Sequence, residues 1–368
     1  MQNNKVLIVV NDFTTVYNFR IELVQRLLDE GYEVNMAMPD DKRNVKLSDI
    51  GCKIHNIALS RFGTNPVADF KTMLQIRKVI KSVKPCVVLN YTAKPNIYGG
   101  MASRLTGTPY ICNVTGLGAN FQSKNIIASI MLLLQKIAYK KAEKVFFQNV
   151  SNLQLLQNNG VVKDNYAVLP GSGVNLKTNA YEPYPKNHNT KFIAIARIRK
   201  DKGYDELFHV IKRLKAECLH ADFHIVGWYE DDSYKPIVEE LLSYGNVKFY
   251  ENVPHEEIHE LITNCDCLIH ASHHEGMSNV ILEAAAAGRP CIVSDIHGCI
   301  EGVEDGKTGY HFKVKDADSL YEQLIRFMNL DATQREEMSK QARAKIERDF
   351  DREIIIREYL KLIEPLAK

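Results

Sequence analysis

The sequence predicts an α/β protein of two doubly wound, parallel-sheet domains followed by a helical C-terminal tail. Three observations carry the prediction. Between Lys5 and Leu169, short apolar runs rich in β-branched residues alternate with amphipathic helical stretches, the pattern of a parallel sheet covered on both faces. The segment Asn175–Thr190 then breaks the rhythm with two prolines, four asparagines and almost no aliphatics, as a linker between domains does. After it the alternation restarts at Lys191 and continues to Ser294.

Each element follows from local chemistry. Lys5–Val10 (KVLIVV) has the length and branching of a fully buried strand. Asn11–Thr15 reads as a loop leading into one amphipathic helix that ends near Glu30, where Gly31 stops it. Further strands are expected at Glu33–Met38, Lys53–Ile57, Cys86–Leu89, Tyr110–Val114, Lys144–Phe147 and Tyr166–Leu169, with helices such as Phe70–Val83 and Ser151–Asn159 between most of them. The second half repeats the scheme with strands near Lys191–Ala196, Asp222–Val226, Val247–Tyr250, Cys267–His270 and Pro290–Ser294, and turns helical from Thr333. The expected divisions are residues 1–176, 177–345 and 346–368, the last a helix packing back toward the first domain. In open α/β sheets ligands bind beyond the carboxyl ends of the strands, so the strand ends and the cleft between the two domains are where function is expected.

With 368 residues, 45% of them hydrophobic and 25% charged, the chain can fill two cores, which excludes disorder as its main state. The N-terminus lacks the length and cleavage site of a signal peptide, and the apolar run Ile126 to Leu134 is too short to span a bilayer. A soluble or peripheral cytoplasmic protein is therefore expected. Its eight cysteines form no C-x-x-C pair and read as small core hydrophobes. The net charge of +2 hides an asymmetry: residues 1–180 hold 22 basic and 11 acidic side chains, residues 181–368 hold 25 and 34, and residues 51–150 hold 14 and 2. Such an excess asks for an anionic partner, nucleic acid or an anionic membrane surface. No nucleic-acid module or aromatic–basic interleaving is present, which favours the membrane.

Two segments carry chemistry. In ASHHEGMSNVILEAAAAGRP, residues 271–290, a strand ends, a polar loop holds Glu275, and a helix beginning near Ser278 holds Glu283. The two carboxylates meet one ligand if the loop folds back over the helix N-terminus. The backbone N–H groups of Met277, Ser278 and Asn279 would then form an anion site aided by the helix dipole. Equally, Glu275 and Ser278 could simply cap the helix, with Glu283 paired internally. In FIAIARIRKDKGYDEL, residues 192–207, Arg197, Arg199, Lys200 and Lys202 crowd the loop after a strand, where cations suit a phosphate or diphosphate. No P-loop or dinucleotide-binding glycine fingerprint occurs.

These segments resemble the retaining glycosyltransferases of family 4, whose GT-B fold has two facing Rossmann-like domains. The family's G-R-x-x-x-x-K-G is matched from Ala196-Arg197 to Lys202-Gly203, and its E-x₇-E block by Glu275-Gly276 through Glu283 and Gly288-Arg289-Pro290. The likeness continues through Asp295–Cys299 and Asp305–Gly309. It implies that Arg197 and Lys202 bind the donor diphosphate, Glu283 the nucleotide ribose and Glu275 the donor sugar. It further implies that Gly276, Met277, Ser278 and Asn279 present N–H groups and that Val253 lies at the base-reading edge. In the first half, Asn18-Phe19-Arg20, Tyr91 through Lys94 to Asn96, and Thr115-Gly116-Leu117-Gly118 resemble bacterial capsule, O-antigen and protein-glycan enzymes. Those act on polyprenyl-diphosphate-linked acceptors, many with UDP-N-acetylhexosamines. Asn18, Arg20, Tyr91, Lys94, Thr115, Gly116 and Gly118 are thereby implied on the acceptor side.

The only histidine before residue 180 is His55, so no acid/base histidine is expected in the acceptor domain. That fits front-face attack, which asks for charge stabilisation and positioning. No cofactor or metal is expected: Asp316-Ala317-Asp318 spells D-x-D but reads as a helix start. Phe121–Lys144, with Lys136, Lys140, Lys141 and Lys144 after an apolar stretch, reads as an amphipathic segment for the inner face of a membrane. The rival readings are a UDP-N-acetylglucosamine 2-epimerase and a non-catalytic nucleotide-sugar-binding subunit.

Overall fold

The structure is a computed structural model that describes residues 3–60, 65–117 and 126–367. The chain forms two units, Met1–Ser172 with Glu353–Lys368, and Gly173–Arg352.

Among the described residues the first unit has seven strands: β1 (Lys5–Val9), β2 (Glu33–Met38), β3 (Lys53–Asn56), β4 (Val87–Tyr91), β5 (Tyr110–Val114), β6 (Lys144–Phe147) and β7 (Tyr166–Val168). They lie in the order β3-β2-β1-β4-β5-β6-β7, every pair parallel. Because both faces are covered, alternate residues of one strand serve different cores. Val6 and Ile8 pack with Leu89 and Phe146, while Leu7 and Val9 pack with Val88 and Cys112. This is why the strands read as unbroken apolar runs. The first of these cores is completed by Ile355, Ile356, Tyr359, Leu360 and Ile363 of the C-terminal helix Arg352–Ile363.

The second unit has six strands, β8 (Thr190–Ile195), β9 (Ala221–Gly227), β10 (Val247–Glu251), β11 (Cys267–His270), β12 (Cys291–Ser294) and β13 (Gly309–Phe312), in the parallel order β10-β9-β8-β11-β12-β13. In both sheets the order reverses once, between β1 and β4 and between β8 and β11. Crossovers leave such a pair in opposite directions, so a crevice opens at the carboxyl ends of the two strands.

Several expectations need correction. The single helix expected before Glu30 is two, α1 (Phe13–Tyr17) and α2 (Ile21–Asp29). Asp12 caps α1 by accepting from the Thr15 N–H at 2.8 Å, and Arg20 breaks the run with a non-helical φ of −139° and ψ of 1°. Helix α3 starts earlier than expected, at Pro66 (Pro66–Val83), because Asn65 caps it. Helix α4 (Ile126–Tyr139) ends before Lys144, which opens β6 as the strand expectation for Lys144–Phe147 had it, so of the four lysines only Lys136 lies within the helix. Strand β13 was not expected; GYHF is short and follows a turn. Cys218 is exposed, whereas the other seven cysteines are buried. The second unit begins at Gly173, and its end lies at Arg352 rather than near 345. Backbone bonds from Val174 to Phe350 and from Arg352 to Val174 stitch those segments together.

Candidate active site

The second unit's crevice is built by the loops after β8 and β11. β8 runs out through Ala196 to Arg197. The chain then makes a 3₁₀ turn, Lys200–Lys202, and enters α5 (Tyr204–Ala216) at Gly203. Gly203 has a φ of 73°, and a Cβ there would collide with the Ala271 carbonyl. Glycine is therefore required, and the close approach presses this loop onto the one after β11. His273 N–H donates to the Asp201 carbonyl at 2.8 Å, and Ser272 Oγ donates to the same oxygen at 3.3 Å. The imidazole of His273 pairs with Glu206 at 3.0 Å.

That contact places Lys202 against Glu275, Nζ to Oε1 at 2.6 Å, with Ser272 Oγ at 3.4 Å from the ammonium. His270, the last residue of β11, reaches the same carboxylate oxygen at 3.1 Å. Burial alone would raise the Glu275 carboxyl. The His270 hydrogen bond and the Lys202 charge outweigh it and hold the carboxyl far below the usual carboxylate range. Glu275 is thus an anion fixed between two donors. Gly298, with a φ of 90°, backs the loop so closely that a Cβ would stand 2.8 Å from Glu275 Cβ.

The other cation is also compensated. Arg197 Nη1 lies 2.5 Å from Glu230 Oε1, and Arg199 Nη1 reaches Glu230 Oε2 at 2.9 Å. Arg197, Lys202 and Val253 line one cleft of about 250 Å³ together with Gly227, Trp228 and His270. Helix α6 (His255–Thr263) borders it through Ile258. The helix after the Glu275 loop, α7 (Asn279–Ala286), takes Ser278 as its N-cap by backbone conformation, but the Ser278 side chain makes no capping bond. The Ser278 N–H donates to the Gly298 carbonyl at 2.9 Å. It is therefore spent, and the anion-suited donors are those of the first helical turn. Glu283, buried within α7, pairs with His255 Nε2 at 3.2 Å. That bond raises the His255 pKa. Asp316 accepts from the Ser319 N–H at 3.0 Å as a helix N-cap, as its sequence context suggested.

The G-R-P end of the block has a structural reason. Gly288 takes a φ of 79° directly under Tyr181, and Arg289 is buried with its guanidinium donating to the carbonyls of Glu182, Pro183 and Thr263. It anchors the Pro/Asn-rich segment to the second unit.

In the first unit, the loops after β1 and β4 bring Arg20 and Tyr91 together. The guanidinium, 3% exposed, lies 4.9 Å from the centre of the Tyr91 ring. Asn18 ends α1, donating its N–H to Thr14. Lys94 pairs with Asp69 at 2.8 Å. Thr115 and Gly116 follow β5, and Gly118 lies outside the described residues. Sequence reasoning missed His270, Glu230, His255 and Asp69. His270 could have been noticed as an imidazole at a strand end near Glu275. Glu230 and Asp69 carry no local signal, because their partners are remote in sequence.

Two Rossmann-like sheets and a cationic crevice at the reversal point of one of them define an α/β protein suited to a phosphorylated ligand. Residues 179–345 match the family Glycosyl transferases group 1, and residues 5–149 match Glycosyl transferase 4-like. The chain belongs to the glycosyltransferases that join these two domains, and its fold is GT-B. It is 29% identical over 371 residues, 96% of each chain, to the N,N'-diacetylbacillosaminyl-diphospho-undecaprenol alpha-1,3-N-acetylgalactosaminyltransferase of Campylobacter jejuni. It is 24% identical to the capsular polysaccharide biosynthesis glycosyltransferase CapM of Staphylococcus aureus, covering 100% of this chain and 99% of that one. The fold is shared with a glycosyltransferase from Rickettsia africae, at TM-score 0.77, 19% identity and 100% coverage of both chains. It is shared also with Anabaena HepE in complex with UDP and glucose, at TM-score 0.77, 16% identity and 98% and 99% coverage.

Proposed function

We propose that this glycosyltransferase moves a sugar, an N-acetylhexosamine or hexose, from UDP to a hydroxyl of a polyprenyl-diphosphate-linked saccharide, with retention of configuration. The setting is bacterial surface polysaccharide or glycan assembly at the cytoplasmic face of the membrane. The observation that carries the reading is the Lys202–Glu275–His270 cluster beside Arg197 at the β8/β11 reversal. The full-length likeness to the Campylobacter jejuni N-acetylgalactosaminyltransferase supports the acceptor class, and the UDP complexes of a protein with the same fold support the nucleotide.

In this mechanism the donor diphosphate draws Arg197 and Lys202 toward itself and away from Glu230 and Glu275, and lies at the N-terminus of α7. Both cations stabilise the charge that builds on the leaving phosphate. Glu275, kept ionised, accepts hydrogen bonds from the donor sugar, and Glu283 accepts from the ribose. The bond from the anomeric carbon to the phosphate oxygen breaks, and the acceptor oxygen bonds to that carbon on the same face. The acceptor proton passes to the leaving phosphate, so no side-chain base is required and positioning supplies much of the rate. The charge is met by side chains and helix terminus, without a metal or cofactor.

Membrane attachment belongs to the same reading. On α4, Ile126, Ile130, Leu133 and Ile137 recur at helical spacing and are all exposed, with exposed Lys136, Lys140 and Lys141 on or just beyond the helix. A solvent-facing apolar stripe flanked by lysines suits an anionic bilayer surface. Among the described residues no helix is long and apolar enough to cross a membrane.

The test is calorimetric titration of UDP, GDP and ADP in EDTA and then in magnesium, followed by transfer assays with Lys202→Ala and Arg197→Ala. Selective UDP binding in EDTA and a loss of transfer of roughly 100-fold or more in either variant are expected. Wild-type turnover in the variants would refute the charge-stabilising role, and a magnesium requirement for UDP would refute the metal-free site.

A further inference from the structure

Strand β11 reads Cys-Leu-Ile-His, and all four residues are buried. An imidazole closing such a run has to be accounted for, because buried polar groups come with partners. The His270 backbone is fixed by the sheet, in register with Val293 of β12. Its side chain, 5% exposed, reaches Glu275 Oε1 at 3.1 Å and lines the cleft of about 250 Å³ that holds Arg197 and Lys202. The neighbouring imidazoles are placed differently. His273 pairs with Glu206 at 3.0 Å, and His274 is exposed.

Lys202 and His270 meet Glu275 at the same carboxylate oxygen, yet they are not equivalent. An ionised carboxylate only accepts, so the His270 proton sits on Nε2, and a neutral imidazole is enough to make this bond. Lys202 carries its ammonium on a flexible stem and can swing to a phosphate. The imidazole, short and seated on a paired strand, cannot follow. Burial pushes the Glu275 carboxyl up, and the hydrogen bond from His270 is the largest single influence bringing it down.

The transfer mechanism given above spends Lys202 on the donor diphosphate. Glu275, whose side chain is 16% exposed, then gives up a charged donor where an undersupplied carboxylate is costly. The His270 bond persists through that exchange.

We infer that His270 is a positioning residue for sugar recognition, holding Glu275 toward the donor sugar while Lys202 engages the diphosphate. The inference rests on the transfer reading and adds a division of labour to it. The nucleotide and its phosphates bind without His270, and the sugar binds through a carboxylate that His270 orients. A packing role alone would produce no such split between nucleotide and sugar.

Calorimetry on the full chain tests it, comparing UDP with UDP-glucose, UDP-N-acetylglucosamine and UDP-N-acetylgalactosamine. At least one sugar nucleotide binds the wild type and serves as the probe. Two variants of like chemistry differ in reach: His270→Gln puts an amide N–H near the Nε2 position, and His270→Asn falls short of it. His270→Asn weakens the sugar nucleotide roughly tenfold, the scale of one lost hydrogen bond to a charged group, and leaves UDP within about twofold of wild type. His270→Gln restores the affinity for the sugar nucleotide. His270→Leu, apolar like the rest of the strand, shows the same loss as His270→Asn and serves if that variant does not fold. Equal losses for UDP and the sugar nucleotide overturn the inference, as does equal behaviour of the glutamine and asparagine variants. Wild-type protein that binds no UDP, or UDP but none of the sugar nucleotides, refutes the transfer reading itself.

Discussion

At the scale of single residues, the second unit is organised by carboxylates holding cations in reserve. Glu275 and Glu230 neutralise Lys202 and Arg197 at 2.6 and 2.5 Å, so neither cation carries the cost of an unpaired, partly buried charge. The His255–Glu283 pair has a different consequence, visible in pH. The Glu283 hydrogen bond raises the His255 pKa above its ordinary value. A raised pKa means that the folded state holds the proton more tightly, so this pair stabilises fully below the unfolded histidine value, about 6.5. The stabilisation fades as pH rises through the higher folded value. The melting temperature of wild type should therefore exceed that of His255→Gln most clearly near pH 5.5, with the gap narrowing above neutrality. A constant gap across that range would show that the pair carries no proton linkage. His255 was invisible in the sequence because nothing local ties it to a glutamate on another helix.

At the scale of elements, the parallel strands were the most legible feature. Lys5–Val9 and Cys267–His270 are buried on both faces, so composition alone marks them. What composition hides is how the chain turns between them. Where α1 and α2 part, Arg20 lies over the ring of Tyr91 at the end of β4, a partner remote in sequence. β13 is fixed by its pairing with β12 rather than by its own residues. The 196–203 loop and the 275–283 block were legible as segments, because their residue types stand out at strand ends. The bonds that join them were not, since they run through backbone groups of Asp201 and His273. Gly203 shows how tightly that junction is made. Gly203→Ala should cost about 1–2 kcal/mol for the left-handed backbone alone, with the clash against the Ala271 carbonyl added. The melting temperature should fall by at least about 2 °C, and transfer should fall with it as Lys202 shifts. Gly107→Ala is the control, since Gly107 has a φ of 69° but nothing within 4 Å of a Cβ. An equal loss in both variants would mean that the contact with Ala271 is unimportant.

For the molecule as a whole, charge and apolar surface act together on the first unit. The basic excess in residues 51–150 was plain in the sequence, yet the exposed partner of those lysines was not. The pattern shows that α4 is apolar on one side, and only the fold tells which side meets solvent. Ile130→Asp with Leu133→Asp should abolish sedimentation with vesicles containing anionic phosphatidylglycerol, at low and high salt alike. Replacing Lys136, Lys140 and Lys141 with glutamine should weaken it mainly at low salt. Unchanged binding in the aspartate variant would remove α4 from the docking surface. A last consequence lies in the return of Glu353–Lys368 to the first unit. Tyr359 packs 5.0 Å from Phe146 and 6.0 Å from Tyr91, measured between ring centres, so the core built on β1 is closed by a helix that follows the whole second unit in sequence. At ~5–20 residues per second on the ribosome, the first sheet waits roughly 10–40 s with that apolar face uncovered, while the whole second unit is synthesised. The nascent first unit is thus a natural client for chaperones, and a chain cut before Tyr359 leaves that core open.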